Sequence, residues 1–80
     1  MDSILGEIRL LSFDFAPQGW MECAGQTLQV SEYSKLFSLI GTKYGGSGML
    51  SFCLPKLASI GQESAKVKYF IAVEGEYPPR

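Results

Sequence analysis

The sequence predicts an α+β fold: a small single domain, residues 1–80, of short, mostly antiparallel strands with one central helix. Three observations predict it. Tyr33, Leu36, Phe37 and Ile40 recur at helical spacing over one short stretch, whereas residues 6–13 and 66–73 alternate as strands do. The 9 Gly and 4 Pro among 80 residues punctuate the chain at short intervals, which suits short strands and turns.

Taken in order, residues 6–13 read as a strand in which Ile8 and Leu10 share one face, opposite Glu7 and Arg9, before Leu11 and Phe13 turn that second face apolar. Residues 14–19 have turn chemistry around Pro17 and Gly19. Residues 20–23 and 27–30 are two short strands, and the three-residue step Ala24-Gly25-Gln26 suits a tight reversal or bulged hairpin between them. Ser31 is the expected N-cap of a helix of about three turns, with Glu32 in its first turn and Gly41 as its stop. Gly45, Gly46 and Gly48 then form a loop, followed by a brief strand at residues 52–54 that Pro55 ends. Gly61 and the polar run Gln62-Glu63-Ser64 mark a turn. Residues 66–73 give the clearest strand, with Val67, Tyr69, Ile71 and Val73 on one face and Phe70 and Ala72 on the other. Its second half is expected to be buried on both sides, in the centre of the sheet beside the N-terminal strand.

Composition narrows the function. Seven basic against eight acidic side chains give a net charge of −1, so no basic field exists to collect nucleic-acid phosphates. No run approaches the roughly eighteen apolar residues that insert as a membrane-spanning helix, and the N-terminus lacks the pattern of a signal peptide. At 46% hydrophobic and 19% charged, the chain is lean in charge for a free-standing domain, and association would add to the core that so short a chain can bury.

The chemistry-bearing residues are few. There is no histidine, and no pair of acids falls in a recognisable catalytic spacing; an enzyme would need a shaped pocket with perturbed acids around Glu7, Asp14 or Glu22. Cys23 and Cys53 allow one pairing, and reduced core thiols are expected over a disulfide; two cysteines without histidine are a poor zinc set. The glycine run follows the helix and has no Gly-Lys-Ser/Thr ending, so it is read as close backbone packing or a mobile loop rather than a phosphate cradle. No cofactor, no metal and no catalytic residue are expected. Trp20 is read first as a core or sheet-edge anchor and second as a ligand platform.

Gly6-Glu7-Ile8-Arg9-Leu10, Phe15-Ala16-Pro17-Gln18-Gly19-Trp20, Cys23-Ala24-Gly25-Gln26 and the stretch from Leu36 through Thr42-Lys43-Tyr44-Gly45-Gly46-Ser47-Gly48, in this order, resemble the phage tail collar domain. Phe52-Cys53-Leu54-Pro55 is similar to that family's Phe-x-Leu-Pro step, and Tyr69-Phe70-Ile71-Ala72-Val73-Glu74-Gly75 with Tyr77-Pro78 to its ending. The resemblance implies a non-enzymatic structural subunit of a phage-tail-like fibre, tail tip or secreted filament, in a virion tail or extracellular particle and cytoplasmic before assembly. It also implies a homo-oligomer, a trimer for preference, docked to other tail, fibre or particle proteins. Residues 56–61 lead almost at once to the last strand, where the family carries a long glycine-rich segment; this shortened form suits a compact cap, plug, adaptor or polymer subunit.

Tyr44, Met49, Leu50 and Tyr77 are the expected oligomer contacts, with residues 41–50 as the exposed loop of any tip. The alternative is an adhesion module for a cell-surface glycan or receptor, with Trp20, Tyr44 and Tyr77 as stacking residues. An open aromatic groove would favour the second reading and continuous burial between chains the first.

Overall fold

The computed structural model describes residues 3–62 and 65–79. It contains five strands and one helix: β1 (Ile8–Leu11), β2 (Trp20–Glu22), β3 (Thr27–Gln29), α1 (Ser34–Ile40), β4 (Ser51–Cys53) and β5 (Lys68–Ala72). The α+β class holds, and every pairing between these strands is antiparallel.

β5 lies at the centre of a three-stranded sheet of order β1-β5-β2, as its two-sided apolar pattern predicts. Phe70, Ile71 and Ala72 are each no more than 1% exposed. Ile71 faces a core made with Leu5, Cys23, Leu28, Leu36, Phe52 and Leu54. Phe70 and Ala72 face the other way, against Trp20 and Leu11. Trp20 is thus the core anchor of its first reading, 4% exposed. Each large side chain closed off in this way contributes about 1.5–3 kcal/mol.

Three expectations are corrected. The strand read over residues 6–13 is confined to Ile8–Leu11. Gly6 N–H donates to the Ala72 carbonyl while Ala72 N–H donates to that of Glu7, so two residues oppose one and a bulge starts the strand late. The chain bends away after Leu11, leaving Phe13 39% exposed. Residues 20–23 and 27–30 form no hairpin. β2 pairs with β5 and β3 with β4 in a separate two-stranded sheet, because residues 24–26 find partners far along the chain: Gly25 N–H donates to the Pro55 carbonyl (3.2 Å) and Leu54 N–H to that of Gln26 (3.0 Å).

The helix also starts later than its capping signal suggests. The amides of Glu32 and Tyr33 both reach the Gln29 carbonyl at the end of β3, at 3.1 and 3.2 Å, and no side-chain cap is made. α1 has seven residues, about two turns, with no acid in the first. The apolar stripe is as expected: Leu36 is buried, and Tyr33, Phe37, Leu39 and Ile40 pack against the same core. Gly41 ends the helix at φ 53°, its N–H on the Phe37 carbonyl at 2.7 Å.

The glycine loop covers the outer edge of β4. Cys53 N–H donates to the Gly45 carbonyl (3.1 Å), Gly48 N–H to the Ser51 carbonyl (2.9 Å) and Ser51 N–H to Ser47 Oγ (3.2 Å). So close an approach needs a residue without a side chain: a Cβ at Gly46 would lie 2.4 Å from Phe52 Cα, with φ at 103°. Beyond β4, Ile60 and Val67 exchange backbone hydrogen bonds at 2.9 and 2.8 Å and close the turn leading into β5. Glu63 and Ser64 of the expected polar turn lie outside the described residues.

Replacing Gly46 by alanine should lower unfolding stability by about 2–4 kcal/mol, since backbone must move as well as strain. Gly41→Ala, with nothing within 4 Å of its Cβ, should cost only the strain of its dihedrals, and urea unfolding of both variants checks the order. Leu36→Ala, which removes the one buried residue of α1, should cost about 2–5 kcal/mol in the same assay.

Candidate functional site

Residues 41–50 leave α1 through a run of turns and reach β4 with their backbone closely held. Ser47 Oγ accepts from the amides of Met49, Leu50 and Ser51 at 3.3, 3.1 and 3.2 Å, drawing the turn around one hydroxyl. The Leu50 carbonyl accepts from Val30 N–H at 3.0 Å, which extends the β3–β4 ladder to the loop's last residue. With its backbone fixed on both sides, the pair Met49 and Leu50 turns outward, 85% and 80% exposed. Two adjacent apolar side chains are thereby presented to solvent on an ordered tip. Of the two readings of the glycine run, close backbone packing is the one found.

The other expected site residues are distributed. Tyr44, 40% exposed, belongs to the same loop, with Lys43 Nζ 5.7 Å from its ring centroid. Tyr77 lies against α1, its hydroxyl 2.8 Å from Ser38 Oγ, and is 43% exposed. Trp20 is closed into the second core, and the Arg9 guanidinium covers its ring at 5.4 Å. Tyr44 thus belongs to the same loop as Met49 and Leu50, Tyr77 lies against the helix, and Trp20 has no open face.

Two exposed apolar features escaped the sequence reading. Phe13 and Phe15 stack at 4.7 Å on the turn between β1 and β2, with Phe15 67% exposed. Ile8 and Leu10 are 39% and 47% exposed on β1. The first had a signal: Asp14-Phe15-Ala16-Pro17 is turn sequence, and an aromatic carried on a turn has no second sheet to cover it. The second had none, because alternation shows which residues share a face without showing which face the rest of the chain will cover.

The acids named in the sequence are engaged. Glu7 lines an open cleft of about 680 Å³ with Arg9, Gln18, Glu74 and Glu76. The Arg9 side chain, and then the Ile4 amide, donate to its carboxylate and hold it below the usual glutamate range, which suits neither a proton donor nor a strong base. Asp14 and Glu22 both lie 4.0 Å from Lys68 Nζ. Both cysteines are free thiols. Burial first, and the Glu22 charge second, push the Cys23 thiol up to about 11, which keeps it protonated and unreactive at neutral pH. Among the described residues no group of three His, Cys, Asp or Glu side chains could hold a metal ion, and no helix is long and apolar enough to cross a membrane.

A native-state thiol assay at pH 8 should accordingly label Cys53 first, since it is only half-buried, with Cys23 following at the rate at which the chain opens. Fast labelling of Cys23 in the folded chain would contradict its placement.

The chain matches no curated protein. A family profile described as Phage Tail Collar Domain matches residues 6–60, a span that includes β1 to β4, the helix and the glycine loop. With that match extending over more than half of the sequence, the chain belongs to the phage tail collar domain family.

Proposed function

We propose that this chain is a non-enzymatic structural subunit of a phage-tail-like fibre, tail tip or secreted filament, acting by self-association and docking. The observation that carries the reading is the ordered apolar tip. Among the described residues Met49 and Leu50 are the two most exposed large hydrophobic ones, and they sit on a loop whose backbone is fixed by Ser47 and Val30. A surface of this kind loses little ordering entropy on contact, so more of the apolar burial goes into association. Family membership and the engaged state of Glu7, Asp14, Glu22 and Cys23 support the same reading.

The partners proposed are further copies of the chain, a trimer for preference, and other tail, fibre or particle proteins, in a virion tail or phage-tail-like particle after a cytoplasmic stage. Tyr44 extends the tip contact, and Tyr77 offers a second one beside α1. Binding of a surface glycan through Trp20, Tyr44 and Tyr77 draws less support, since Trp20 is closed into the second core under Arg9.

Light scattering across a dilution series tests this reading. The native chain should keep a mass above that of one subunit, and the double substitution Met49→Asp with Leu50→Asp should shift it toward the monomer while leaving the unfolding midpoint within about 0.5 kcal/mol of the original. A native chain that is monomeric at every concentration would overturn it.

A further inference from the structure

The strand edges of this molecule are not treated alike. Along β5, Ala72 N–H donates to the Glu7 carbonyl on one side and Val73 N–H to the Gly19 carbonyl on the other. In an antiparallel ladder the hydrogen-bonded positions recur every second residue, so Arg9 and Leu11 bond Phe70 and Lys68 while the backbone groups of Ile8 and Leu10 point outward. On β2 the chain itself meets half of the outward groups: Trp20 N–H donates to the Pro17 carbonyl and Ala24 N–H to that of Glu22, both at 3.0 Å. On β4 the glycine loop does the same, and on β3 the Gln29 carbonyl receives the amides of Glu32 and Tyr33.

β1 has no such closure. Among the described residues nothing meets the outward N–H and C=O groups of Ile8 and Leu10, and both side chains are exposed. Natural sheets blunt an open edge with lysine, proline or a covering loop. From Ile8 to Leu11 this edge has no lysine, proline or covering loop; its protection is its shortness and the bulge before Ile8, and its one charged residue, Arg9, is turned to the other face, held by Glu7 over Trp20.

We propose that β1 is a strand-pairing surface for a second copy of this chain, the two strands running antiparallel across a two-fold axis at Arg9. The inference rests on the self-association reading and adds to it a place and a symmetry. The occupant follows from the edges: β2, β3 and β4 each have some of their outward groups met within the chain, whereas β1 has the N–H and C=O of both Ile8 and Leu10 open, so the row that matches it in full in a second copy is β1 itself. Centred on Arg9, Ile8 of each copy stands beside Leu10 of the other, with reciprocal backbone hydrogen bonds and apolar side chains on one face. The two arginines meet on the opposite face, each already paired with its own Glu7. The product is a continuous six-stranded sheet. A four-residue strand pair is small for a stable interface on its own, so it joins a subunit of one tip-held oligomer to a subunit of the next, where several such pairs act together.

Cysteine cross-linking tests the register. At a non-hydrogen-bonded antiparallel pair the Cα atoms approach to about 4.5 Å, within disulfide range. In a Cys53→Ser background, Arg9→Cys should form disulfide dimers about tenfold faster than Leu11→Cys or Gln29→Cys, through the effective concentration that pairing supplies. Adding Leu10→Lys to Arg9→Cys should abolish the advantage while circular dichroism shows the fold retained. If Arg9→Cys does not fold, an equimolar mixture of Ile8→Cys and Leu10→Cys replaces it and should give the mixed dimer over either homodimer. Equal rates at positions 9, 11 and 29, or no preference for the mixed dimer, would overturn the proposal. Equal rates in a chain that light scattering shows to be associated would leave the structural reading standing; equal rates in a monomeric chain would remove both.

Discussion

The fold depends on β5 being buried on both faces. A strand covered on one face needs one layer of partners; Lys68–Ala72 must find two, and an 80-residue chain has material for two only if nearly every other element serves one of them. Ile71 draws α1, β3 and β4 to one side through Leu36, Leu28 and Phe52, while Phe70 and Ala72 draw Trp20 and Leu11 to the other. This division explains why the second core is so small and why Arg9, rather than another hydrophobic side chain, covers Trp20. The aliphatic stem and flat guanidinium of arginine can cover an aromatic face as an apolar side chain would.

A second consequence is a surplus of strand edges. Two small sheets have four edges where one barrel would have none, and each unpaired backbone group at an edge needs water or a partner. On three of the edges the chain's own turns meet part of that need. The glycine run is the clearest case: it lies against β4 as an irregular further strand, and Gly46 is where the two backbones come closest. The same loop orders Met49 and Leu50, so closing an edge and presenting an apolar tip are one structural act. Any substitution that loosens Ser47 or Gly46 would affect both.

What was legible in the sequence follows from how local the deciding interactions are. The stripe Tyr33, Leu36, Phe37 and Ile40 and the alternation of residues 66–73 are set by side-chain direction along one element, and both survive into the structure. The hairpin at residues 24–26 was a sound local expectation, but Leu54 and Pro55, far along the chain, take the backbone groups of Gln26 and Gly25 and decide the matter. The helix cap was lost in the same way, to a carbonyl at the end of β3 that accepts the amides before the Ser31 hydroxyl can. Trp20 was legible as an anchor because no small domain leaves its largest side chain uncovered without a reason; Ile8 and Leu10 were not, because exposure is a property of what the remaining chain fails to reach.

Electrostatics and packing point in one direction about chemistry. A working acid, base or nucleophile has to be held in an awkward state, with a raised carboxylate, a lowered thiol or an unpartnered ion facing a cavity. Here the shifts run the other way: Glu7 is drawn down by a neighbour that neutralises it, and Cys23 is pushed up into its inert form. The acids are settled, and the features that are not settled are apolar and peripheral: Met49 and Leu50 on the tip, Phe15 on its turn, and Ile8 and Leu10 along an open edge. On the reading proposed above, the free energy open to this domain lies in uncovered apolar surface rather than in a strained or charged pocket, and a second subunit laid against that surface would release it.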